Sequence, residues 1–164
     1  MNFLTLAERL ARPEPPWLYR ADLVAEAQTL QVDLGTPPEL TIVCFDSATM
    51  TTLDDFFDVV ASRLSFPDYF GHNWPAFDEC LADAHEWLSV GALVLLFVNS
   101  EELLSRDRAD LPTLFTVLVK VGIELARETS EGEPWDRPSV AFHAVFDVGI
   151  ETRLEGRELP LLSM

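Results

Sequence analysis

The chain has 164 residues, of which 48% are hydrophobic, so it can bury the core of one globular domain with appended segments. Its 11 basic and 28 acidic residues give a formal net charge of −17, which argues against nucleic acid or an anionic membrane surface as a direct partner. A basic protein is the favoured partner, because opposite electrostatic fields steer association. The alternative is that the charge only keeps the protein soluble or reflects adaptation to salt.

The N-terminus lacks the basic segment and apolar run of a signal peptide, and no apolar run is long enough to span a bilayer. We therefore expect a cytoplasmic protein. The two cysteines, Cys44 and Cys80, are predicted to be buried free thiols and not a disulfide framework.

In chain order, the first predicted unit is an N-terminal extension over residues 1–38 that packs on or beside the main domain. It contains two predicted short helices, over residues 1–12 and 21–31, separated by a proline-rich break. The aromatic segment Trp17-Leu18-Tyr19 lies between these helices and is expected to be buried or docked. The function of this extension is not readable from its sequence.

The second predicted unit is the main domain, residues 39–148. Three apolar runs in it suit parallel strands that are covered on both faces: Leu40–Phe45, Ala92–Val98 and Ser139–Val148. Apolar positions at helical spacing lie between them, and we expect helices over Leu53–Leu64, from Trp74 onward, over Glu101–Ser105 and from about Asp110 to Leu125. The pattern predicts an α/β fold with a small three-stranded parallel sheet covered by helices. Residues 149–164 form a C-terminal hairpin or tail that turns at Gly156.

One stretch of this domain is chemically unusual, and we call residues 66–74 the aromatic loop. It holds four aromatic rings beside a proline, a glycine and an asparagine: Phe66-Pro67-Asp68-Tyr69-Phe70-Gly71-His72-Asn73-Trp74. Asn73 is predicted to cap the next helix, and Gly71 to allow a turn with positive φ. Solvated loops are usually small and polar, so the rings indicate either a loop folded onto the core or a recognition surface.

Acidic residues are concentrated around this loop. Between Asp46 and Glu86 there are nine acidic residues and one basic residue, Arg63. On the helix after the loop, Glu79, Asp83 and Glu86 follow at i, i+4 and i+7 on the side opposite the apolar stripe. The helix is therefore predicted to expose an acidic face.

The sequence offers little for catalysis. Its three histidines have no metal-binding spacing, and Cys-x-x-Cys, a phosphate-binding glycine loop and a nucleophile elbow are all missing from it. The helix acids could bind a divalent cation, which leaves a metal-dependent hydrolase as the least favoured alternative. We expect no enzyme, no catalytic residue, no metal site and no cofactor.

The aromatic loop, followed by Phe77 and by Glu79-Cys80-Leu81, resembles the signature of barstar-like proteins, the intracellular inhibitors of barnase-type ribonucleases. The resemblance runs from Leu40 to about Val145. It implies a fold with three parallel strands and a protein that blocks a ribonuclease without chemistry of its own.

The resemblance also implies partner contacts from Tyr69, Gly71 and the helix acid Glu79. Loop and helix neighbours complete the predicted partner-binding set: Tyr69, Gly71, His72, Asn73, Glu79 and Asp83. Two positions depart from the family pattern. Pro75 stands where an earlier helix acid contacts the ribonuclease, and Lys120 aligns with a further acid, with Glu124 one turn later.

Two hypotheses follow. In the first, the protein is an immunity protein that binds and inhibits a basic ribonuclease or related toxin by occluding its active site. In the second, it is a non-inhibitory binding module of the same fold for another basic protein, which Pro75 and Lys120 favour.

Overall fold

The computed structural model describes residues 6–22, 40–88, 91–154, 156–159 and 162–163. The helices are α1 (Leu6–Leu10), α2 (Leu53–Arg63), α3 (Trp74–Leu88) and α4 (Leu111–Ala126). The strands are β1 (Leu18–Arg20), β2 (Leu40–Asp46), β3 (Ala92–Val98), β4 (Ala141–Phe146), β5 (Arg153–Leu154), β6 (Arg157–Glu158) and β7 (Leu162–Ser163). The predicted short helix over 21–31 lies almost wholly outside the described residues. Among these residues, no helix is long and apolar enough to cross a bilayer.

Five of these strands form one sheet in the order β2-β3-β4-β1-β7, with every neighbouring pair parallel. The predicted α/β class with a parallel sheet is confirmed, but the sheet has five strands and not three. The added strands, β1 and β7, come from the two segments that flank the predicted main domain. With three and two residues, they are too short to show a periodic pattern in the sequence. The division at residues 38 and 148 stays a prediction. Strands β5 and β6 form a separate antiparallel hairpin.

Helices α2, α3 and α4 contribute to the main hydrophobic core together with one face of the sheet. A row of stacked rings crosses three strands there, because Phe45, Phe97 and Phe146 occupy matching register positions. Their ring centroids are 5.0 and 4.9 Å apart. At one end of the row, Phe146 contacts the ring of Phe115 on α4 at a centroid distance of 5.1 Å, which ties the sheet to that helix.

The edge position of β2 corrects two predictions. Within the described part of the chain, β2 pairs with β3 alone, and only Phe45 among its residues is buried. Strands β3 and β4 are buried along almost their whole length, whereas most of β2 is only half-buried, so its predicted coverage on both faces is incomplete. Cys80 is a buried free thiol as predicted, but Cys44 is a free thiol exposed on this edge strand.

Polar groups end the helices that shape the candidate site. The Thr52 side chain accepts a hydrogen bond from the backbone N–H of Asp55 at 3.1 Å and so caps the start of α2. At the C-terminus of α4, the Arg137 guanidinium donates to the backbone carbonyls of Glu124, Leu125 and Arg127. These bonds add to the backbone hydrogen bonds that the Glu124 and Leu125 carbonyls accept from Arg127 and Val140.

Candidate protein-binding face

The aromatic loop is both folded onto the core and partly presented to solvent. Phe70 is buried, and its ring contacts those of Phe57 and Phe66 at centroid distances of 5.9 and 5.0 Å. The indole N–H of Trp74 donates to Asp110 Oδ1 at 3.1 Å, which ties the loop end to the start of α4. Tyr69 points the other way and is 75% exposed. Three rings therefore anchor the loop, and the fourth is displayed.

The turn into α3 depends on Gly71, His72 and Asn73. Asn73 Oδ1 accepts from the N–H of Ala76 at 2.9 Å, so the predicted cap is confirmed, and Asn73 Nδ2 donates to the Gly71 carbonyl at 3.0 Å. The residue with positive φ in this turn is His72, at 51°, so the prediction that Gly71 would adopt a positive φ was wrong. Gly71 is needed for close approach, because a Cβ there would lie 2.9 Å from Asn73 Nδ2.

His72 links the loop to α2. Its Nδ1 lies 3.2 Å from Asp58 Oδ1, and its ring centroid lies 4.8 Å from that of Phe70. Both side chains of the His72–Asp58 pair are at least half exposed. The contact is an ion pair only when the imidazole is protonated, because a neutral imidazole carries no charge. The pair fixes the position of a residue whose backbone is in the left-handed region.

A concavity of about 340 Å³ separates α3 from α4, and we call it the α3–α4 groove. It is lined by Pro75, Asp78, Glu79, Ala82, Asp83, Lys120 and Glu124. The fold thus brings the predicted residues Glu79 and Asp83 together with Glu124, which follows them by some 40 positions in the chain. Lys120 is hydrogen-bonded and ion-paired with Asp78 within the same groove.

The carboxylates of the groove interact unfavourably with each other. Partial burial raises the pKa of Asp83, and Glu86, Glu79 and Glu124 raise it further, while His85 lowers it. Like charges disfavour ionisation of a carboxyl group held among them. The groove is therefore a site where an incoming cation would relieve repulsion.

Tyr69 belongs to the same electrostatic surface. The pKa of its hydroxyl is raised by desolvation, by Cys80 and by the carboxylates Asp83 and Glu79. The displayed ring and the groove acids therefore lie near each other, on a face made by the aromatic loop and the exposed side of α3.

Residues 40–144 match the family described as Barstar (barnase inhibitor). The chain belongs to the barstar family. The match extends from β2 into β4 and includes the aromatic loop, α3 and α4, so the resemblance seen in the sequence is confirmed. The family is one of inhibitors and not of enzymes. A comparison with curated proteins finds no match.

Within this barstar domain, the predicted residues fall into two groups. Tyr69, Glu79 and Asp83 share the exposed face, whereas the polar side chains of His72 and Asn73 are engaged in contacts within the protein. Sequence reasoning did not place Asp78 or Glu124 in the site. The spacing of Lys120 and Glu124 at i and i+4 puts both on one side of α4, but only the fold shows that this side faces α3.

Among the described residues, no group of three or more His, Cys, Asp or Glu side chains is arranged to hold a metal ion. The metal-dependent hydrolase alternative therefore finds no donor set in that part of the chain.

Proposed function

We propose that this protein binds and inhibits a basic ribonuclease, or a related basic toxin, by covering its active site with α3 and the aromatic loop. The observation that carries the proposal is the joint face of exposed Tyr69 with the carboxylates Glu79 and Asp83, found in a member of the barstar family. The inhibitor would act as an immunity protein in the cytoplasm, with no cofactor and no chemistry of its own.

The chemistry of the target supports this face as the inhibitory one. A ribonuclease active site is basic because it holds phosphate, so carboxylates can occupy the places of phosphates and accept charge-assisted hydrogen bonds. A tyrosine ring beside them excludes water and adds contact area at low entropic cost. A cation from the partner near Asp83 would also relieve the repulsion that raises the pKa of this carboxyl group.

The anchored loop supports the proposal energetically. Phe66, Phe70 and Trp74 hold it on the core, so little conformational freedom remains to be lost when a partner binds. Gly71 is exposed and has no side chain, which leaves room for a partner backbone to approach. In this proposal Gly71, His72 and Asn73 contribute shape and backbone groups to the contact, and Tyr69 contributes its ring.

Titration calorimetry against a barnase-type ribonuclease, at low and moderate salt, tests the proposal. We expect binding that weakens with salt, and a large loss of affinity in Glu79→Gln. Glu133→Gln is the matched control, because Glu133 is an exposed acid of the loop between α4 and β4. Equal losses in both variants would show a non-specific charge effect, and no binding at micromolar concentration would remove this target.

A non-inhibitory module for another basic protein is the second candidate. Lys120 favours it, because this residue places a positive charge in the α3–α4 groove, where a partner would bring its own cations. A ribonuclease activity assay separates the two functions. Binding that leaves RNA cleavage unchanged would support the module, and stoichiometric loss of cleavage would support the inhibitor.

A further inference from the structure

The outer side of α4 carries an apolar side chain that the core does not use. Helix α4 buries one broad side against the sheet, yet Ile123 is 41% exposed. A β-branched residue at an exposed helical position gains neither from core packing nor from helix propensity. Isolated apolar residues are common on protein surfaces, so the surroundings of Ile123 decide whether its exposure has meaning.

Ile123 lies in a concavity of about 580 Å³, which we call the α4 stripe. It is lined by Thr116, Val119, Lys120, Ile123, Glu124 and Arg127. Half-buried Val119 and exposed Ile123 form its centre, one helical turn apart, and polar side chains surround them. An apolar centre with a polar rim is the arrangement found in protein–protein interfaces.

The α4 stripe is continuous with the α3–α4 groove, because Lys120 and Glu124 line both. A partner large enough to cover the groove would therefore reach the stripe. This continuity makes Ile123 part of the surface on which the proposed function depends.

The two halves of this surface differ in charge. The groove presents Glu79, Asp83 and Glu124, with Asp78 neutralised by Lys120. The stripe carries one basic and one acidic residue, Arg127 and Glu124, beside its apolar centre, and the charge of Lys120 at its border is balanced by Asp78. Cations on the partner are therefore attracted to the first half and gain little at the second, where the charges nearly cancel and the apolar side chains offer the contact.

We propose that the α4 stripe is a specificity-determining extension of the binding face, and that it selects a basic protein which places an apolar side chain, and not a further cation, on Ile123. The inference rests on the proposed function, because the partner is the same basic protein. It adds that positive charge alone does not make a protein a partner.

Calorimetry with a barnase-type ribonuclease tests this with Ile123→Ser and Ile123→Lys. We expect Ile123→Ser to weaken binding by about tenfold with an unchanged salt dependence, and Ile123→Lys to weaken it further. Val148→Ser is the matched control and should bind like the original protein. Val148 is 57% exposed but lines a separate depression with Val98 and Asn99. Thermal unfolding should be nearly unchanged in all three variants.

Glu79→Gln, measured alongside, separates failure of this inference from failure of the proposed function. If Glu79→Gln weakens binding and Ile123→Ser does not, the stripe lies outside the interface and the acidic face keeps its role. If the original protein does not bind the ribonuclease, the proposed function and this extension are both overturned for that enzyme class.

Discussion

Lys120 on α4 donates a hydrogen bond to the Asp78 carboxylate on α3, and this ion pair joins the two helices that border the α3–α4 groove. The hydrogen bond and the charge of Asp78 raise the pKa of Lys120, so the amine is charged at neutral pH. The Lys120 side chain is 60% exposed, and solvent-exposed pairs add little to stability. The main effect of the pair is on the charge that a partner meets, because it cancels one carboxylate of the groove.

Lys120→Ala should therefore increase the affinity for a basic ribonuclease. The substitution removes a positive charge and frees Asp78, so the groove becomes more negative and association faster at low salt. We expect an increase of a few-fold in the association rate, measured by stopped flow, with the gain lost at high salt. Lys120→Arg keeps the charge and should behave like the original protein. Slower association or weaker binding of Lys120→Ala would instead place an acidic group of the partner on Lys120.

Asp83→Asn should stabilise the free protein and weaken its complex. Burial and the neighbouring acids raise the pKa of Asp83, so its ionised form is disfavoured in the folded state. Asp83 therefore lowers the free energy of unfolding at neutral pH, relative to a pH below the ordinary pKa of a carboxyl group. Asparagine has no charge and removes this loss. We expect the melting temperature to rise by about 1 to 2 °C at pH 7, since surface substitutions usually change stability by no more than about 0.5 kcal/mol.

The pH dependence of that gain checks its cause. The advantage of Asp83→Asn should disappear below about pH 3, where the original carboxyl group is protonated in both folded and unfolded chains. Asp68→Asn, at an exposed acid outside the groove, is the control. A gain in melting temperature that persists at low pH would point to packing or helix propensity and not to charge repulsion.

The sequence predicted those helices and strands whose formation depends on residues close together in the chain. The runs that form β3 and β4 and the stripe of α3 are readable because each residue's face follows from its neighbours. The Asn73 cap was readable for the same reason. The edge position of β2 was not, because an apolar run looks alike in a central and an edge strand. Exposure of Cys44 follows from that edge position.

The remainder depends on contacts between distant parts of the chain. The Asp78–Lys120 pair joins residues 42 positions apart, and β1 pairs with β4 across more than a hundred residues. In the turn before α3, His72 has the left-handed backbone, whereas Gly71 allows close approach to Asn73. The sequence indicated a glycine in a turn. Only the packing shows whether that glycine is used for a positive φ or for close approach to a neighbour.

Gly71→Ala should damage the turn through the cap. The new methyl group would lie 2.9 Å from Asn73 Nδ2, which must then move away from the Gly71 carbonyl that it contacts. Asn73→Ala removes the cap directly and should cost about 1 kcal/mol in the free energy of unfolding. We expect Gly71→Ala to cost a similar amount, measured by urea denaturation. The double variant should lose less free energy of unfolding than the sum of the two single-variant losses, because both substitutions act on the same contact.

His143 on β4 holds the N-terminal segment against the sheet. It is 0% exposed, with Nδ1 3.0 Å from the Pro16 carbonyl oxygen and Nε2 2.9 Å from that of Arg12. Its ring stacks on Trp17 at a centroid distance of 5.8 Å. His143 is therefore a core histidine with a backbone carbonyl oxygen beside each ring nitrogen. Both ring nitrogens face acceptors, but a neutral imidazole has one N–H, so it can donate to only one of them.

Burial lowers the pKa of His143, and the contacts with the two carbonyls only partly oppose this. The folded protein therefore favours the neutral ring, whereas the unfolded chain is protonated below its ordinary pKa of about 6.5. For a depressed histidine pKa, stability is full above the unfolded value and falls as pH decreases towards the folded one. The free energy of unfolding should thus decline between about pH 7 and pH 5.

His143→Gln tests this assignment by removing the titrating group while keeping one donor and one acceptor. We expect it to lower the free energy of unfolding at pH 7 by about 2 to 4 kcal/mol, through lost packing and an imperfect hydrogen bond. Its free energy of unfolding should then fall less steeply between pH 7 and pH 5 than that of the original protein. The difference in slope should correspond to at most about one proton taken up on unfolding. An unchanged slope in His143→Gln would mean that another group causes the pH dependence.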